Sequence, residues 1–256
     1  MKSRSLAALL VVLALFGCGT DQDITKDWSA ERLYKEAKEA MDDGNWKTAI
    51  QYFEKLEARY PYGRYAQQAQ LEVAYANYRD GEPASAIVAC ERFLKTYPNN
   101  PNADYALYLK GIVLFEGDLG VLVKLGQDRA ERDPKTAQES YETFRELVKR
   151  FPASRYTEDA SARMRYLVDA LAMHEVYIAR YYMKRGAYIA AANRAQEVVK
   201  RYSQTPAVEE ALAIMARAYD ELKLPTLRDD AVRVLRTNFP KSPLLAQLNF
   251  PAAKSK

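Results

Sequence analysis

The sequence predicts an all-α protein, a solenoid of about five helical hairpins, from a repeated turn and the small residues spaced around it. An aromatic residue followed by proline recurs at Tyr60-Pro61, Tyr97-Pro98, Phe151-Pro152 and Phe239-Pro240, and Tyr202-Ser203 fills the remaining place without proline. An alanine lies eight residues after the first four turns in chain order, at Ala69, Ala106, Ala160 and Ala211. Such phased recurrence indicates one supersecondary unit copied along the chain.

The first copy shows why this unit is a pair of helices. Apolar side chains recur at a spacing of three or four residues, at Leu33, Ala37, Ala40, Ala49, Phe53 and Leu56. Gly44 lies between the two runs and permits a tight reversal, and Pro61 cannot continue the second helix. The small side chains of Ala37 and Ala49 allow the two backbones to approach. The repeated turn is therefore the joint between successive hairpins.

The later copies keep this pattern. A glycine stands seventeen residues before the proline position in three copies, at Gly44, Gly81 and Gly186. A small residue stands twelve residues before it in four copies, at Ala49, Ala86, Ser140 and Ala191. In the fifth copy Arg228 occupies the small position and no glycine marks the turn, as expected of a terminal capping repeat.

Two stretches depart from the base period of 37 residues. Residues 155–185 contain neither proline nor glycine, which predicts one helix of about 31 residues, roughly 46 Å long. Residues 117–133 interrupt the third copy and are interpreted as an insertion loop, for which a functional and an inert interpretation are both open. Its glycines lack the Gly-Lys-Ser/Thr sequence of a phosphate-binding loop.

The N-terminal segment predicts export and lipidation. Two basic residues precede an apolar run from Leu6 to Phe16, which is too short to span a bilayer. The run ends at Gly17-Cys18 and resembles a bacterial lipobox, in which Cys18 becomes the first mature residue and carries diacylglyceryl and N-acyl lipid. The alternative is an ordinary export signal with an incidental cysteine. Cys90 then has no disulfide partner and is interpreted as a small buried residue.

The predicted organisation has five segments: a signal peptide at 1–17, a lipidated tether at 18–30, repeats one to three at 31–151, repeats four and five at 152–243, and a tail at 244–256. Charge is unevenly distributed among them. Residues 18–133 hold 15 Lys/Arg and 20 Asp/Glu, whereas residues 134–256 hold 21 and 14. We therefore expect different partners at the two ends, and no nucleic acid, because no basic run exceeds two residues.

The sequence lacks the motifs of an enzyme. His174 is the single histidine, and Ile178 stands where a zinc-binding helix would need a second one. A nucleophile elbow, a nucleotide fingerprint and a clustered set of metal ligands are also missing from the sequence. We therefore expect a binding protein without a metal or a cofactor, apart from the lipid on Cys18.

The unit resembles the tetratricopeptide repeat, whose stacked hairpins form an extended groove. In that geometry the first helix of each hairpin lines the concave side. By register with Ala37, Ala74 and Gly111, the lining candidates are Tyr34, Lys38, Met41, Leu71, Tyr75, Tyr78, Tyr105, Tyr108, Ile112 and Phe115. Tyrosine suits an extended peptide because it offers an apolar face and a polar tip. The alternative is that Tyr75 and Tyr105 pack between repeats.

Four segments carry a more specific resemblance: "DGNWKTAI", "RYPYGRYAQQAQLEVAYANY", "DRAERDPKTA" and "YYMKRGAYIAAANRAQEVVKRY". Together they resemble the BamD (ComL/YfiO) family of outer-membrane lipoproteins over nearly all of the mature chain. The resemblance implies a lipid anchor in the periplasmic leaflet of the outer membrane. It also implies membership of the Bam complex, in which the barrel protein BamA and further lipoproteins fold and insert β-barrel proteins.

The resemblance also implies site residues. The N-terminal repeats would receive the C-terminal strand of unfolded barrel substrates around residues 60–68, which adds Tyr62 and Tyr65 to the groove. Asn193 and Arg194 would contact the membrane-proximal POTRA domain of BamA. The older ComL name suggests an alternative, a cell-wall lipoprotein acting in competence or peptidoglycan organisation, which would bind purified sacculi without BamA.

Overall fold

The computed structural model describes residues 23–119, 133–248 and 250, and the fold within them is all-α. The predicted signal peptide, Cys18 and most of the predicted insertion at 117–133 lie outside the described residues. In chain order the helices are α1 Ala30–Asp42, α2 Trp46–Arg59, α3 Arg64–Arg79, α4 Pro83–Thr96, α5 Ala103–Leu119, α6 Lys135–Arg150, α7 Thr157–Lys184, α8 Tyr188–Arg201, α9 Ala207–Glu221, α10 Pro225–Asn238 and α11 Pro243–Ala246.

Consecutive helices pair into five hairpins, which confirms the predicted all-α, tetratricopeptide-type fold. Direct packing joins α1 to α2, α5 to α6, α7 to α8 and α9 to α10. In the second hairpin, Leu71 of α3 and Phe93 of α4 belong to one buried cluster. The helix predicted at 155–185 is α7, which has 28 residues.

The described chain divides into two compact units, and the boundary along the chain falls between Ala69 and Gln70 inside α3. In the first unit α1 packs on α2. In the second, each helix from α4 to α10 packs on the next one, and α7 also packs on α9. The grouping of repeats into 31–151 and 152–243 stays a prediction.

In the first, second and fourth hairpins the reversal is a left-handed turn closed by one recurring hydrogen bond. Gly44, Gly81 and Gly186 have φ angles of 74°, 82° and 71°. After each of them, a backbone N–H bonds to the carbonyl five residues earlier, as in Asn45 to Ala40 at 2.8 Å. This is the Schellman arrangement, which satisfies a carbonyl at the helix end.

Lys223 adopts the same turn in the fifth hairpin, where the sequence shows no glycine. Its φ angle is 60°, and the N–H of Leu224 bonds to the carbonyl of Tyr219 at 2.9 Å. Lys223 lies seventeen residues before Pro240, which is the position of glycine in the other copies. The fifth turn therefore keeps the backbone of the others with a side chain that disfavours it.

The repeated aromatic residue ends the second helix of every hairpin. The N–H of Tyr60, Tyr97, Phe151, Tyr202 and Phe239 bonds in each case to the carbonyl four residues earlier, at 2.8–2.9 Å. After the first four of these aromatic residues the chain turns into the next helix. That helix carries one of the four repeated alanines, Ala69, Ala106, Ala160 and Ala211, all of which are completely buried. The sequence-predicted joint is thus confirmed.

The small positions are equally buried, with Ala49, Ala86, Ser140 and Ala191 having no exposed surface. Ser140 Oγ donates a hydrogen bond to the Gly111 carbonyl at 3.0 Å. In the fifth hairpin Arg228 takes this position and is 6% exposed. Its guanidinium donates to Asp220 at 2.9 Å and to Asp229 at 2.8 Å, so the buried charge is paired.

We expect Gly111→Ala to destabilise the protein, because the added Cβ would lie 2.7 Å from Cδ1 of the fully buried Phe144. Overpacking of this kind costs about 1–3 kcal/mol of unfolding free energy. Gly117→Ala in the same helix is the control, since its Cβ would lie 3.9 Å from Thr136 Cγ2. Urea unfolding monitored by circular dichroism measures both, and equal midpoints would contradict the close approach.

We expect Lys223→Gly to stabilise the protein by about 0.5–1 kcal/mol, because glycine adopts a positive φ without the Cβ penalty. Gly186→Ala should destabilise the protein by a similar amount. Its Cβ would meet nothing within 4 Å, so the loss would come only from the positive φ that alanine disfavours. Thermal and urea unfolding measure both variants. A loss of stability in Lys223→Gly would show that the lysine side chain outweighs its backbone strain.

Candidate functional site

In the first unit the candidate tyrosines form a small aromatic group. The ring of Tyr34 on α1 lies 5.6 Å from that of Phe53 and 5.5 Å from that of Tyr65. The Arg64 guanidinium lies over the Tyr65 ring at 5.2 Å. Tyr62, between α2 and α3, is 92% exposed. Packing therefore fixes the Tyr65 ring, whereas Tyr62, three residues earlier in the chain, is open to solvent.

In the second unit, Tyr75 and Tyr78 on α3 are half-buried neighbours whose ring centres lie 6.4 Å apart. Arg79 donates a hydrogen bond to the Tyr75 hydroxyl at 2.7 Å. The Tyr78 hydroxyl donates to the Glu116 carboxylate at 2.9 Å. Burial, together with that carboxylate, raises the pKa of Tyr78. Both hydroxyl groups are thus held by protein partners, which leaves the half-buried ring faces as the surface that a ligand would meet.

Tyr105 and Tyr108 on α5 both pack on Tyr156, which lies just before α7. The ring of Tyr108 stacks on that of Tyr156 at 4.5 Å, and the ring of Tyr105 approaches it at 5.7 Å. Burial raises the pKa of Tyr105. Tyr105 therefore has the contacts expected if it packs between helices, the alternative left open by the sequence.

A charged network fixes the tip of Tyr108. Its hydroxyl donates to Asp159 Oδ2 at 2.8 Å, and Arg163 Nε donates to the same oxygen at 2.6 Å. Burial would raise the pKa of Asp159, but the hydrogen bonds from Arg163 and Tyr108 lower it below its usual value. Arg163 also lies over the ring of Phe115 at 4.8 Å. Asp159 therefore stays ionised and holds Tyr108 in one orientation.

Four of the predicted lining residues are in the core. Met41, Leu71, Ile112 and Phe115 are 5–8% exposed, so they offer little surface to a ligand in this conformation. Lys38 is half-buried. Peptide binding by the remaining tyrosines stays a prediction.

Tyr156 was not among the candidates from the sequence, although a signal for it was present. The stretches "RYPYGRY" and "RFPASRY" end in Tyr65 and Tyr156 at the same phase of the repeat. In the structure each of these rings packs on a tyrosine of an earlier helix and carries the preceding arginine over its face, with Arg155 at 4.8 Å from Tyr156. The repeated Arg-Tyr pair therefore builds the same aromatic contact twice.

The second candidate surface is on α8, where Asn193 and Arg194 are both exposed. Arg194 Nη1 donates to Glu175 Oε2 on α7 at 3.1 Å, and the arginine side chain remains 47% exposed. A guanidinium has five donors in a fixed plane, so one carboxylate leaves it able to bind another. The geometry suits a partner that presents a carboxylate to this helix.

The described residues contain no cluster of three or more His, Cys, Asp or Glu side chains able to hold a metal ion. Burial raises the pKa of Cys90 to about 12, so its thiol stays protonated at neutral pH. Within that same part of the chain, no helix combines the length and the hydropathy that crossing a bilayer requires.

Comparison with known proteins identifies the family. Residues 26–235 match the family model described as YfiO, outer membrane lipoprotein. A relative from Neisseria meningitidis serogroup B, named outer membrane protein assembly factor BamD, is 53% identical over 95% of this chain and 94% of its own. A relative of the same name from Vibrio cholerae serotype O1 is 36% identical over 93% of this chain and 99% of its own.

Among solved structures, the TPR domain of P58(IPK) is similar with a TM-score of 0.43 and 14% identity, over 84% of this chain and 53% of that one. The family match covers residues 26–235, and the two relatives cover 95% and 93% of the chain. The chain accordingly belongs to the YfiO family of outer membrane lipoproteins.

Proposed function

We propose that this protein is an outer-membrane protein assembly factor, a lipid-anchored scaffold that binds BamA and unfolded β-barrel substrates and promotes their insertion. The observation that carries the proposal is the match, along nearly the full length of both chains, to relatives named assembly factor BamD. The repeated hairpins supply several surfaces on one array, as an adaptor requires. The proposed role is binding without catalysis.

In this proposal Cys18 holds the protein at the periplasmic face of the outer membrane. One acyl chain anchors a protein only marginally, whereas two or more anchor it stably. The diacylglyceryl and N-acyl lipid expected on Cys18 meets that requirement. Other Bam lipoproteins are further proposed partners.

The proposed contact with BamA uses Asn193 and Arg194. The arginine is oriented by Glu175 and remains open to solvent, so a carboxylate of a POTRA domain can bind without rearrangement of α8. The ion pair is half-exposed on its Arg194 side and contributes about 1 kcal/mol to stability. Substitution of Arg194 is therefore expected to change the affinity for the partner more than the stability of the fold.

We expect Arg194→Glu to weaken binding of the BamA POTRA domains at least about tenfold, because it turns a charge-assisted bond into a repulsion. Lys47→Glu is the matched control, since it makes the same charge change at an exposed residue of α2, outside the proposed BamA contact. Co-purification and a titration by biolayer interferometry measure the effect. Unchanged binding of Arg194→Glu would contradict the assigned contact.

The proposed contacts with substrates use Tyr34, Tyr62 and Tyr65 in the first unit and Tyr75, Tyr78 and Tyr108 in the second. Several of these rings are already held by hydrogen bonds or by stacking, so they lose little freedom on binding an extended peptide. Their faces offer apolar contact, while their hydroxyls are occupied by Arg79, Glu116 and Asp159.

We expect Tyr75→Ala to weaken binding of a synthetic peptide, copied from the C-terminal strand of an outer-membrane β-barrel protein, about fivefold, or about 1 kcal/mol. Tyr181→Ala is the control, because Tyr181 is 50% exposed and lies on α7, outside the candidate set. Fluorescence anisotropy measures the affinity, and a circular-dichroism melt checks the fold. Equal losses in the two variants would remove Tyr75 from the peptide site.

A further inference from the structure

An ionic cluster fixes the segment before the first helix to the end of α2. The Asp23 carboxylate accepts hydrogen bonds from Lys55 Nζ at 2.6 Å and from Thr25 Oγ1 at 2.6 Å, and it pairs with Arg59. Arg59 also donates to the Thr25 carbonyl, and Thr25 is completely buried. The bond from Lys55, followed by that from Thr25, holds the pKa of Asp23 well below its usual range. The chain is thus attached to the first hairpin from Asp23 onwards.

The length of chain between Cys18 and Asp23 limits how far this cluster lies from the membrane. The five intervening Cα-to-Cα steps reach at most about 18 Å when fully extended. The headgroup layer on each side of the hydrocarbon core is about 5–8 Å thick. A lipid on Cys18 therefore keeps the Asp23 end of the first hairpin within about 18 Å of the headgroup layer.

The surface around this cluster exposes apolar side chains and charges of both signs, because Asp27 is exposed next to Lys26. Ile24 is 73% exposed, Tyr60 38% and Tyr62 92%. The Tyr60 hydroxyl donates to the Trp28 carbonyl at 2.9 Å, which ties this ring to the same end of the hairpin. Lys26 lies exposed beside Ile24. Tyrosines and aliphatic side chains at the water–lipid boundary, flanked by basic groups that reach phosphates, are typical of membrane-contacting surfaces.

We infer that Ile24, Lys26, Tyr60 and Tyr62 form a membrane-contact surface that binds the headgroup region of the bilayer in which the lipid of Cys18 is inserted. The inference rests on the lipid anchor of the proposed function. The ionic cluster is the positioning element: it binds Asp23 to the end of α2, so that at most five Cα-to-Cα steps separate Cys18 from this end of the hairpin. The anchor then sets the orientation of the first hairpin as well as its location.

The test uses the chain from residue 18 to 256, coupled through Cys18 to maleimide-phosphatidylethanolamine in phosphatidylglycerol-containing vesicles. Cys90 is buried, so Cys18 is the reactive thiol. Tyr62→Trp reports on the proposed surface, and quenching by lipids brominated in the acyl chain reports on depth. Lys47→Trp is the matched control, because it is exposed and lies on α2 about 18 Å along the helix axis from Arg59.

We expect the tryptophan added by Tyr62→Trp to be quenched at least threefold more than that added by Lys47→Trp, after subtraction of the parent chain with Trp28 and Trp46. Equal quenching would overturn the inference. Adding Asp23→Ala should at least halve the quenching of Tyr62→Trp while the circular-dichroism melt shows an intact fold. Undiminished quenching would overturn the role of the ionic cluster.

The coupling chemistry separates this inference from the proposed function. It supplies a lipid whether or not the cell modifies Cys18, so a negative result concerns the surface alone. Mass spectrometry of the membrane-extracted protein tests the cellular lipid independently. An unmodified Cys18 there would remove the anchor from the proposed function.

Discussion

The fold depends on helices that approach closely enough for the side chain between them to be small or absent. Ala49, Ala86 and Ala191 are completely buried where the two helices of a hairpin meet. At Gly111 a Cβ would already collide with Phe144. A contact this close fixes the spacing of these hairpins, because a larger apolar side chain would overpack the interface. The fifth hairpin accommodates Arg228 at the same position, where Asp220 and Asp229 pair with its guanidinium. The apolar positions on either side then follow from the helical repeat.

The sequence predicted the hairpins well because each depends on a local pattern of residues and the same pattern recurs in several copies. The glycine turns, the aromatic helix ends and the buried alanines all repeat in phase, so an error in one copy is corrected by the others. The end of α7 was predicted to within a residue, since Gly186 marks the reversal that follows it. The fifth turn shows the limit: Lys223 has a positive φ that no residue preference indicates, and only its phase identifies it.

The candidate surfaces were less predictable, because the exposure of a ring depends on residues far along the chain. Tyr75 and Tyr105 were placed by the same register, yet Tyr105 meets Tyr156, which follows it by 51 residues across the insertion. Leu71 had the register of a lining residue but joins a buried cluster with Phe93. Periodicity identifies the face of a helix, whereas the neighbouring helices decide how much of that face remains open.

The repeated Arg-Tyr pair links the fold to the proposed binding role. Tyr65 and Tyr156 each follow a joint between hairpins and each lie beneath the preceding arginine. A protein that receives unfolded chains gains most from surfaces that are already ordered, because the entropy of the substrate must be lost on binding in any case. Aromatic rings fixed by stacking and by charged neighbours add little further cost. In the proposed function, the joint that precedes Tyr65 would therefore also order this ring for a substrate.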